Sequence, residues 1–114
     1  MGRIGKSVTI KGEVISSEDL IVEGYVEGRI DLQGHSLLVG TGGGIHAEIA
    51  AQTVIIQGTV TGNVTAREKI EVRETGSVDG DVVAPRIAVF DGAVLHGRVE
   101  TTSAHGDRQV PVAV

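Results

Sequence analysis

The chain has 114 residues, enough for one domain, and it carries a formal net charge of −5 with no cysteine. Disulfides and thiolate metal sites are excluded, and the negative charge argues against binding to nucleic-acid phosphates. Glycine accounts for 17 residues, whereas the aromatic residues are limited to Tyr25 and Phe90, a composition that favours short strands and turns over a helical bundle.

The chain begins with a short segment, residues 1–7, that precedes the first repeat and that we interpret as an N-terminal tail. It lacks the apolar centre of a signal peptide, and no apolar run in the chain approaches the roughly 18 residues of a membrane-spanning helix. We therefore expect a cytoplasmic protein. Arg3, Ile4 and Lys6 are candidate membrane-facing residues of this tail, since basic side chains are attracted to anionic lipid.

Two apolar motifs recur through most of the chain. In the first, two apolar residues flank one position, and the pairs follow at steps of 16 or 17 residues: Leu20/Val22, Leu37/Val39, Val54/Ile56, Ile70/Val72 and Ile87/Val89. In the second, apolar residues lie two positions on either side of a small residue: Gly12, Gly28, Ala47, Gly62, Gly80 and Gly97. Within each unit the apolar period is two, which indicates strands rather than helices.

Units of about 17 residues are too short to bury a core alone, so we predict that they stack as coils. The predicted fold is all-β, a single-domain parallel β-helix of about six coils over residues 8–100. Two columns of stacked inward residues are uniformly aliphatic: Ile10, Val26, Ile45, Val60, Val78 and Leu95, and Val14, Ile30, Ile49, Val64, Val82 and Val99. One outward column is polar: Glu13, Arg29, Glu48, Asn63, Asp81 and Arg98.

Ile21, Leu38 and Ile55 break this alternation, because they lie at outward positions and are nevertheless apolar. We call these three residues the apolar stripe. A terminal tail that covers the stripe and a lateral or membrane contact both remain open as explanations.

The ends of such a coil have no strand partners and an open apolar core. Three residues line the N-terminal end, Val8, Ile10 and Val14, and five belong to the C-terminal end, Val89, Phe90, Val94, Leu95 and Val99. We predict that another copy of the chain completes each end, with no nucleotide or cofactor, and that a contact which does not close a ring gives a filament. Physics alone does not choose between like and unlike ends. Residues 101–114 lose the repeat and are predicted to be a disordered C-terminal tail.

Residues that could support catalysis or metal binding are scattered. His46 and His96 occupy equivalent outward positions three coils apart, about 14 Å, so they cannot share a metal ion. The glycine run Thr41–Gly44 lacks the lysine of a phosphate-binding loop and is interpreted as a corner insertion. We predict no enzyme activity, no cofactor and no metal. A monomeric or small-oligomer binding module capped by its tails, and a trimeric enzyme of the hexapeptide-repeat kind, remain alternatives, although the chain does not keep a six-residue period.

The chain resembles the bactofilins, bacterial polymer-forming cytoskeletal proteins. Three segments carry the resemblance, residues 18–30, 60–66 and 76–97, and the last is the most specific because it contains Gly-Asp-Val-Val-Ala-Pro-Arg-Ile followed by Asp-Gly-Ala-Val-Leu-His-Gly. The resemblance covers residues 7–100.

This resemblance implies a right-handed, triangular β-helix that polymerises through like ends into nonpolar filaments. It also implies a scaffold at the inner face of the cytoplasmic membrane, with cell-wall or other envelope proteins as partners and with no nucleotide or nucleic acid. Leu95 stands where members often carry an aromatic residue of the end contact, so that either Phe90 substitutes for it or the contact is weaker here.

Overall fold

The computed structural model describes residues 2–32 and 34–101 of the chain. Alternating apolar residues and glycine-rich corners divide this part into thirteen strands. The strands are β1 Gly2–Ile4, β2 Thr9–Ile15, β3 Leu20–Val22, β4 Tyr25–Asp31, β5 Ser36–Val39, β6 Gly44–Ile56, β7 Thr59–Thr61, β8 Val64–Val72, β9 Ser77–Asp79, β10 Val82–Ala84, β11 Arg86–Val89, β12 Val94–His96 and β13 Val99–Thr101.

Every pairing between these strands is parallel and joins equivalent segments of successive coils. The coils are numbered 1 to 6 and comprise residues 2–15, 20–32, 36–51, 53–66, 69–84 and 86–101. Each coil contributes one strand segment to each of three faces. Face A contains β1, β3, β5, residues 53–56, residues 69–72 and β11. Face B contains residues 9–11, 25–27 and 44–46, then β7, β9 and β12. Face C contains residues 13–15, 30–31, 49–51 and 64–66, then β10 and β13.

The register confirms the predicted parallel β-helix of about six coils. On face B, Ile10 pairs with Val26 and Val26 with Ile45, and the same column continues to Leu95. The predicted column on face C is equally continuous from Val14 to Val99. The buried residues of the described part are all apolar, so the core contains no polar side chain that would need a partner. The three faces agree with a triangular section, and the handedness remains a prediction of the resemblance.

The corner between faces A and B explains why the coils differ in length. Two residues turn this corner in coils 2 and 4, and four residues turn it in the other coils. In coil 3 the corner is residues 40–43, where the Gly43 N–H donates to the Gly40 carbonyl at 2.9 Å and closes a β-turn. Residues 41–43 of the corner insertion predicted at Thr41–Gly44 lie here, and Gly44 is the first residue of β6. The extra residues therefore lengthen the coil without disturbing the stacked strands.

The N-terminal boundary differs from the sequence prediction. Gly2–Ile4, placed in a tail, form strand β1, which pairs with Leu20–Val22 of coil 2. The physical reason is the side chain of Ile4, which is 7% exposed because it continues the inward column of Val22 on face A. The predicted disordered tail lies outside the described residues, apart from Thr101, which ends β13.

The corner between faces B and C brings the backbones of successive coils close together. Gly28 has a φ of +128°, and a Cβ at this position would sit against the carbonyl oxygen of Gly12 in coil 1. Gly12 has nearly the same φ, +129°, but nothing lies within 4 Å of its missing Cβ, because no described strand precedes coil 1 at this corner. Gly28 therefore meets both a conformational and a steric requirement, and Gly12 meets only the first.

We predict that Gly28→Ala destabilises the coil more than Gly12→Ala. A side chain at positive φ costs about 1–3 kcal/mol at either position, and only Gly28→Ala adds the clash with a neighbouring backbone. Urea unfolding of both variants, followed by circular dichroism, measures the two losses in the free energy of unfolding. Equal losses would contradict the close approach of coils 1 and 2.

The register also predicts a contrast between Val60→Asp and Thr59→Asp. Val60 is fully buried on face B and its neighbour Thr59 is exposed, so only the first substitution places a carboxylate in the core. We expect Val60→Asp to unfold the chain at room temperature, since an isolated buried charge costs several kcal/mol. Thr59→Asp should unfold at nearly the same temperature as the unsubstituted chain. A folded Val60→Asp variant would contradict the register.

Candidate functional site

Each end of the described coil has strands that are paired on one side only. At the N-terminal end, β1 pairs with β3 and β2 pairs with β4. At the C-terminal end, β11 pairs with β8, β12 with β9 and β13 with β10. No other described strand lies beside these five. Both ends therefore present rows of backbone N–H and C=O groups that can accept a further strand.

The apolar core reaches the surface at the N-terminal end. Ile10 and Val14 pack against the core but are only half-buried, whereas Val26 and Ile30, one coil further in, are fully buried. Val8 lies in the turn before β2 and is 42% exposed. Ile15, at the end of β2, is 61% exposed, the largest value among the exposed large apolar residues. Ile15 is not among the residues predicted for this end, although its position next to the core residue Val14 in the first coil was a signal for it.

The core is open at the C-terminal end as well. Val89, Leu95 and Val99 are half-buried and pack against the core from the three faces. Their counterparts in coil 5 are Val72, Val78 and Val82, which are fully buried. The structure thus brings together three of the residues predicted for this end contact.

Two further residues predicted for the C-terminal end lie on its rim. Val94 does not line the core, because it pairs with Ser77 in an outward column of face B and is 42% exposed. The reason is that the four-residue turn before β12 sets the alternation so that Leu95 points inward. Phe90 is 40% exposed, and the guanidinium carbon of Arg73 lies 5.0 Å from the centre of its ring. An aromatic surface therefore borders the open end.

The three candidate membrane-facing residues differ in their exposure to solvent. Ile4 is buried in coil 1, so it belongs to the core rather than to an exposed tail. Arg3 points outward from β1, with 66% of its side chain exposed and its Nε 3.7 Å from Glu23 Oε1. Lys6 is exposed in the turn that follows. Only the two basic side chains remain accessible to another molecule.

The apolar stripe is a continuous column on the outside of face A. Ile21 pairs with Leu38, and Leu38 pairs with Ile55. The three side chains are half-buried by their neighbours within the sheet. Arg3 precedes the stripe in the same column, and Glu71 follows it. The stripe is thus bounded by charged residues along the coil axis.

Glu71 is held between two cations on the outside of face A. Its Oε2 accepts a hydrogen bond from Lys69 Nζ at 2.8 Å, and its Oε1 lies 3.1 Å from Arg73 Nε in an ion pair without hydrogen-bond alignment. The hydrogen bond from Lys69 and the two positive charges hold the pKa of Glu71 below its usual value of 4.5. Alternation of charged and apolar residues over 69–73 was the sequence signal for this cluster.

Groups suited to catalysis or metal binding do not converge in the described part of the chain. Its His, Asp and Glu residues form no group of three that could hold a metal ion. His46 and His96 lie in one outward column of face B, three coils apart. A shallow groove of about 410 Å³ runs over face C between Arg29 and Asp81, and its polar side chains are exposed. Nor is there, in residues 2–32 and 34–101, a helix of the length and apolarity needed to cross a membrane.

Comparison with known proteins gives a family match over nearly the whole described coil. Residues 3–100 match the family model described as bactofilin, polymer-forming cytoskeletal. Bactofilin BacO of Myxococcus xanthus (strain DK1622) is 44% identical over 97 residues, which cover 85% of this chain and 76% of BacO. Bactofilin BacP of the same organism is 39% identical over 97 residues, 85% of this chain and 40% of BacP. No solved structure gives a significant match.

We predict that Glu71→Gln lowers the free energy of unfolding at pH 7 by up to about 1 kcal/mol, because Lys69 and Arg73 lose the carboxylate that lies between them. The loss is small because both cationic side chains are partly exposed to water. The pKa of Glu71 is lowered in the folded state, so its contribution is present above pH 4.5 and is lost as the pH falls below that value. Urea unfolding should therefore show a smaller difference between the variant and the unsubstituted chain at pH 3 than at pH 7. A difference as large at pH 3 as at pH 7 would contradict the ion-pair origin.

Proposed function

Because the chain belongs to the bactofilin family of polymer-forming cytoskeletal proteins, we propose that it assembles end to end, without nucleotide, into nonpolar filaments. The observation that carries the proposal is the state of the two ends, where one-sided strands surround a half-exposed apolar core. A second copy stacked on either end continues the hydrogen-bonded ladder and covers Ile10 and Val14, or Leu95 and Val99. Pairing of the backbone groups and burial of the apolar side chains both occur when the second copy stacks on the end. Both stabilise the contact, so assembly needs no energy source.

The filament is proposed to be a structural scaffold rather than an enzyme. A rod that polymerises through its ends leaves its three faces free, and every added copy repeats the same exposed side chains at a fixed spacing. Envelope or cell-wall proteins that bind one such face would be arranged in a row along the filament. The polymer-forming description of the family and the repeated faces of a stacked coil support this role.

We place the filament at the inner face of the cytoplasmic membrane as part of the same proposal. The supporting observation is that Arg3 and Lys6 are exposed in coil 1. Each contributes about 1 kcal/mol at an anionic surface, which is too little for one copy. A filament repeats the pair at every N-terminal end, and the contributions add because the copies are linked.

Sedimentation of the purified chain without nucleotide tests assembly, and two end variants distinguish its polarity. We expect the unsubstituted chain to pellet above a threshold concentration. Leu95→Asp alters the C-terminal end and Val14→Asp alters the N-terminal end, and a buried unpaired charge costs about 3–5 kcal/mol, which weakens that contact more than 100-fold. In a filament of like ends, each variant stops at dimers and the double variant at monomers.

A filament in which unlike ends meet would give a different result. Each single variant would then be a monomer, and mixing the two variants would give a heterodimer. Thr61→Asp, which changes the charge by the same amount on the middle of face B, serves as the control and should assemble as the unsubstituted chain does. Circular dichroism confirms that each variant is folded. A chain that stays monomeric at every concentration would overturn the proposal.

A further inference from the structure

Face A has an uneven distribution of charge along the coil axis. Its outer surface is made of three parallel columns, with the apolar stripe in the middle one. The column on one side contains Asp19 in coil 2 and Lys69 in coil 5. The column on the other side contains Glu23 in coil 2 and Arg73 in coil 5. Acidic groups therefore flank the stripe near one end of the coil, and basic groups flank it near the other.

The charged groups that flank the stripe are accessible to another molecule. The side chain of Asp19 accepts the Ser36 N–H at 2.9 Å and is still 51% exposed. Lys69 and Arg73 are each 41% exposed, and Glu23 is 33% exposed. Arg3 Nε lies 3.7 Å from Glu23 Oε1, and His35 Nδ1 lies 3.7 Å from Asp19 Oδ1, so each acidic group keeps part of its side chain exposed beside a contact within its own copy. A partner that lies on the stripe would meet all four.

An antiparallel second copy matches this pattern along the whole face. If two faces A meet with their coil axes reversed, coil 2 of one copy lies opposite coil 5 of the other, and coil 3 lies opposite coil 4. Each side column then faces its own counterpart. Asp19 of one copy comes opposite Lys69 of the second, and Glu23 comes opposite Arg73. The twofold symmetry repeats both ion pairs, so four pairs enclose the contact.

The centre of the same arrangement is apolar. Leu38 of each copy comes opposite Ile55 of the other, at the distance of about 10 Å at which two sheets pack face to face. One position fits less well, because Glu71 comes opposite Ile21. The charge of Glu71 is already matched within its own copy by Lys69 and Arg73. The apolar stripe of one copy therefore packs against the apolar stripe of the second copy.

A parallel second copy does not match. When the coil axes point the same way, equal coils face each other and the two side columns exchange places. Asp19 then comes opposite Glu23, and Lys69 comes opposite Arg73. Like charges placed in contact repel, whereas complementary charges fix the orientation of an interface.

We propose that face A is a lateral contact between two copies of this chain that lie side by side with their coil axes antiparallel. The occupant of the apolar stripe is thus the stripe of a second copy. The contact is small, since it consists of three columns over coils 2 to 5, and it falls short of the roughly 1,200 Å² at the lower end of standard stable interfaces. One pair of chains should therefore associate weakly. Rods that are also joined through their ends repeat the contact along their length and pair strongly, a consequence that rests on the proposed function.

Cysteine cross-linking tests the contact and its orientation, because the chain contains no cysteine of its own. Ile21→Cys and Glu71→Cys are made as two separate variants and treated with a short bis-maleimide at high protein concentration. In the antiparallel arrangement position 21 of one copy faces position 71 of the other. We expect cross-linked dimers only when the two variants are mixed. End-to-end stacking leaves these two positions about 14 Å apart or more, so it does not produce them.

Two other outcomes of this experiment would contradict the proposal. Dimers formed by either variant alone would indicate parallel pairing of face A. A mixture that gives no dimers above the level of a control mixture on face B, Glu27→Cys with Asp79→Cys, would show that face A is not a contact between copies. Because the readout does not depend on filaments, failure of end-to-end assembly and failure of this inference are distinguished.

A disruptive variant provides an independent check. Leu38→Asp, introduced into both cysteine variants, places a carboxylate at the centre of the contact and should reduce the dimer yield more than tenfold. Thr61→Asp, which adds the same charge on face B, should leave the yield unchanged. Leu38 lies outside the core, so both variants should remain folded. An unchanged yield with Leu38→Asp would overturn the assignment of the stripe.

Discussion

Parallel stacking of the coils stabilises the middle of this structure and leaves its two ends open. Each strand satisfies its backbone groups only through the coil before it and the coil after it, and each inward side chain is covered by the same two neighbours. Val60 is fully buried because coils 3 and 5 lie on either side of it. Ile10 and Leu95 lack one neighbour and are half-exposed. The open ends are thus a direct consequence of the way in which the middle is stabilised.

Much of this arrangement could be predicted from the sequence because the same spacing of apolar residues recurs in every coil. The columns through Val60 and Val64 are aliphatic in all six coils, so an incorrect alignment of one coil would have disagreed with the other five. The terminal coils lack that redundancy. Ile4 was assigned to a tail because β1 has three residues and one inward apolar side chain. Val94 follows a four-residue turn, and alternation within a strand cannot set the phase across a turn.

The ends and face A have different origins in the sequence. The ends follow from the core, since any coil of this kind exposes apolar residues where it stops. The stripe and its flanking charges are not required by the core, because all of them lie on the outside of the sheet. The fold positions them at fixed intervals of one coil, which is what makes their order along the axis meaningful. Contacts through the ends would determine how long an assembly grows, and contacts through face A would determine how its rods associate.

If another copy continues the stack across each open end, cryo-electron microscopy of the assembled chain should show the continuous stack. We predict filaments in which strands lie across the axis at a spacing of about 4.8 Å that continues through each junction, with about 29 Å per chain. Like-end contacts give a structural repeat of two chains, roughly 58 Å on the same spacing. Filaments whose strands run along the axis, or whose coil spacing is interrupted at each junction, would contradict end-to-end stacking.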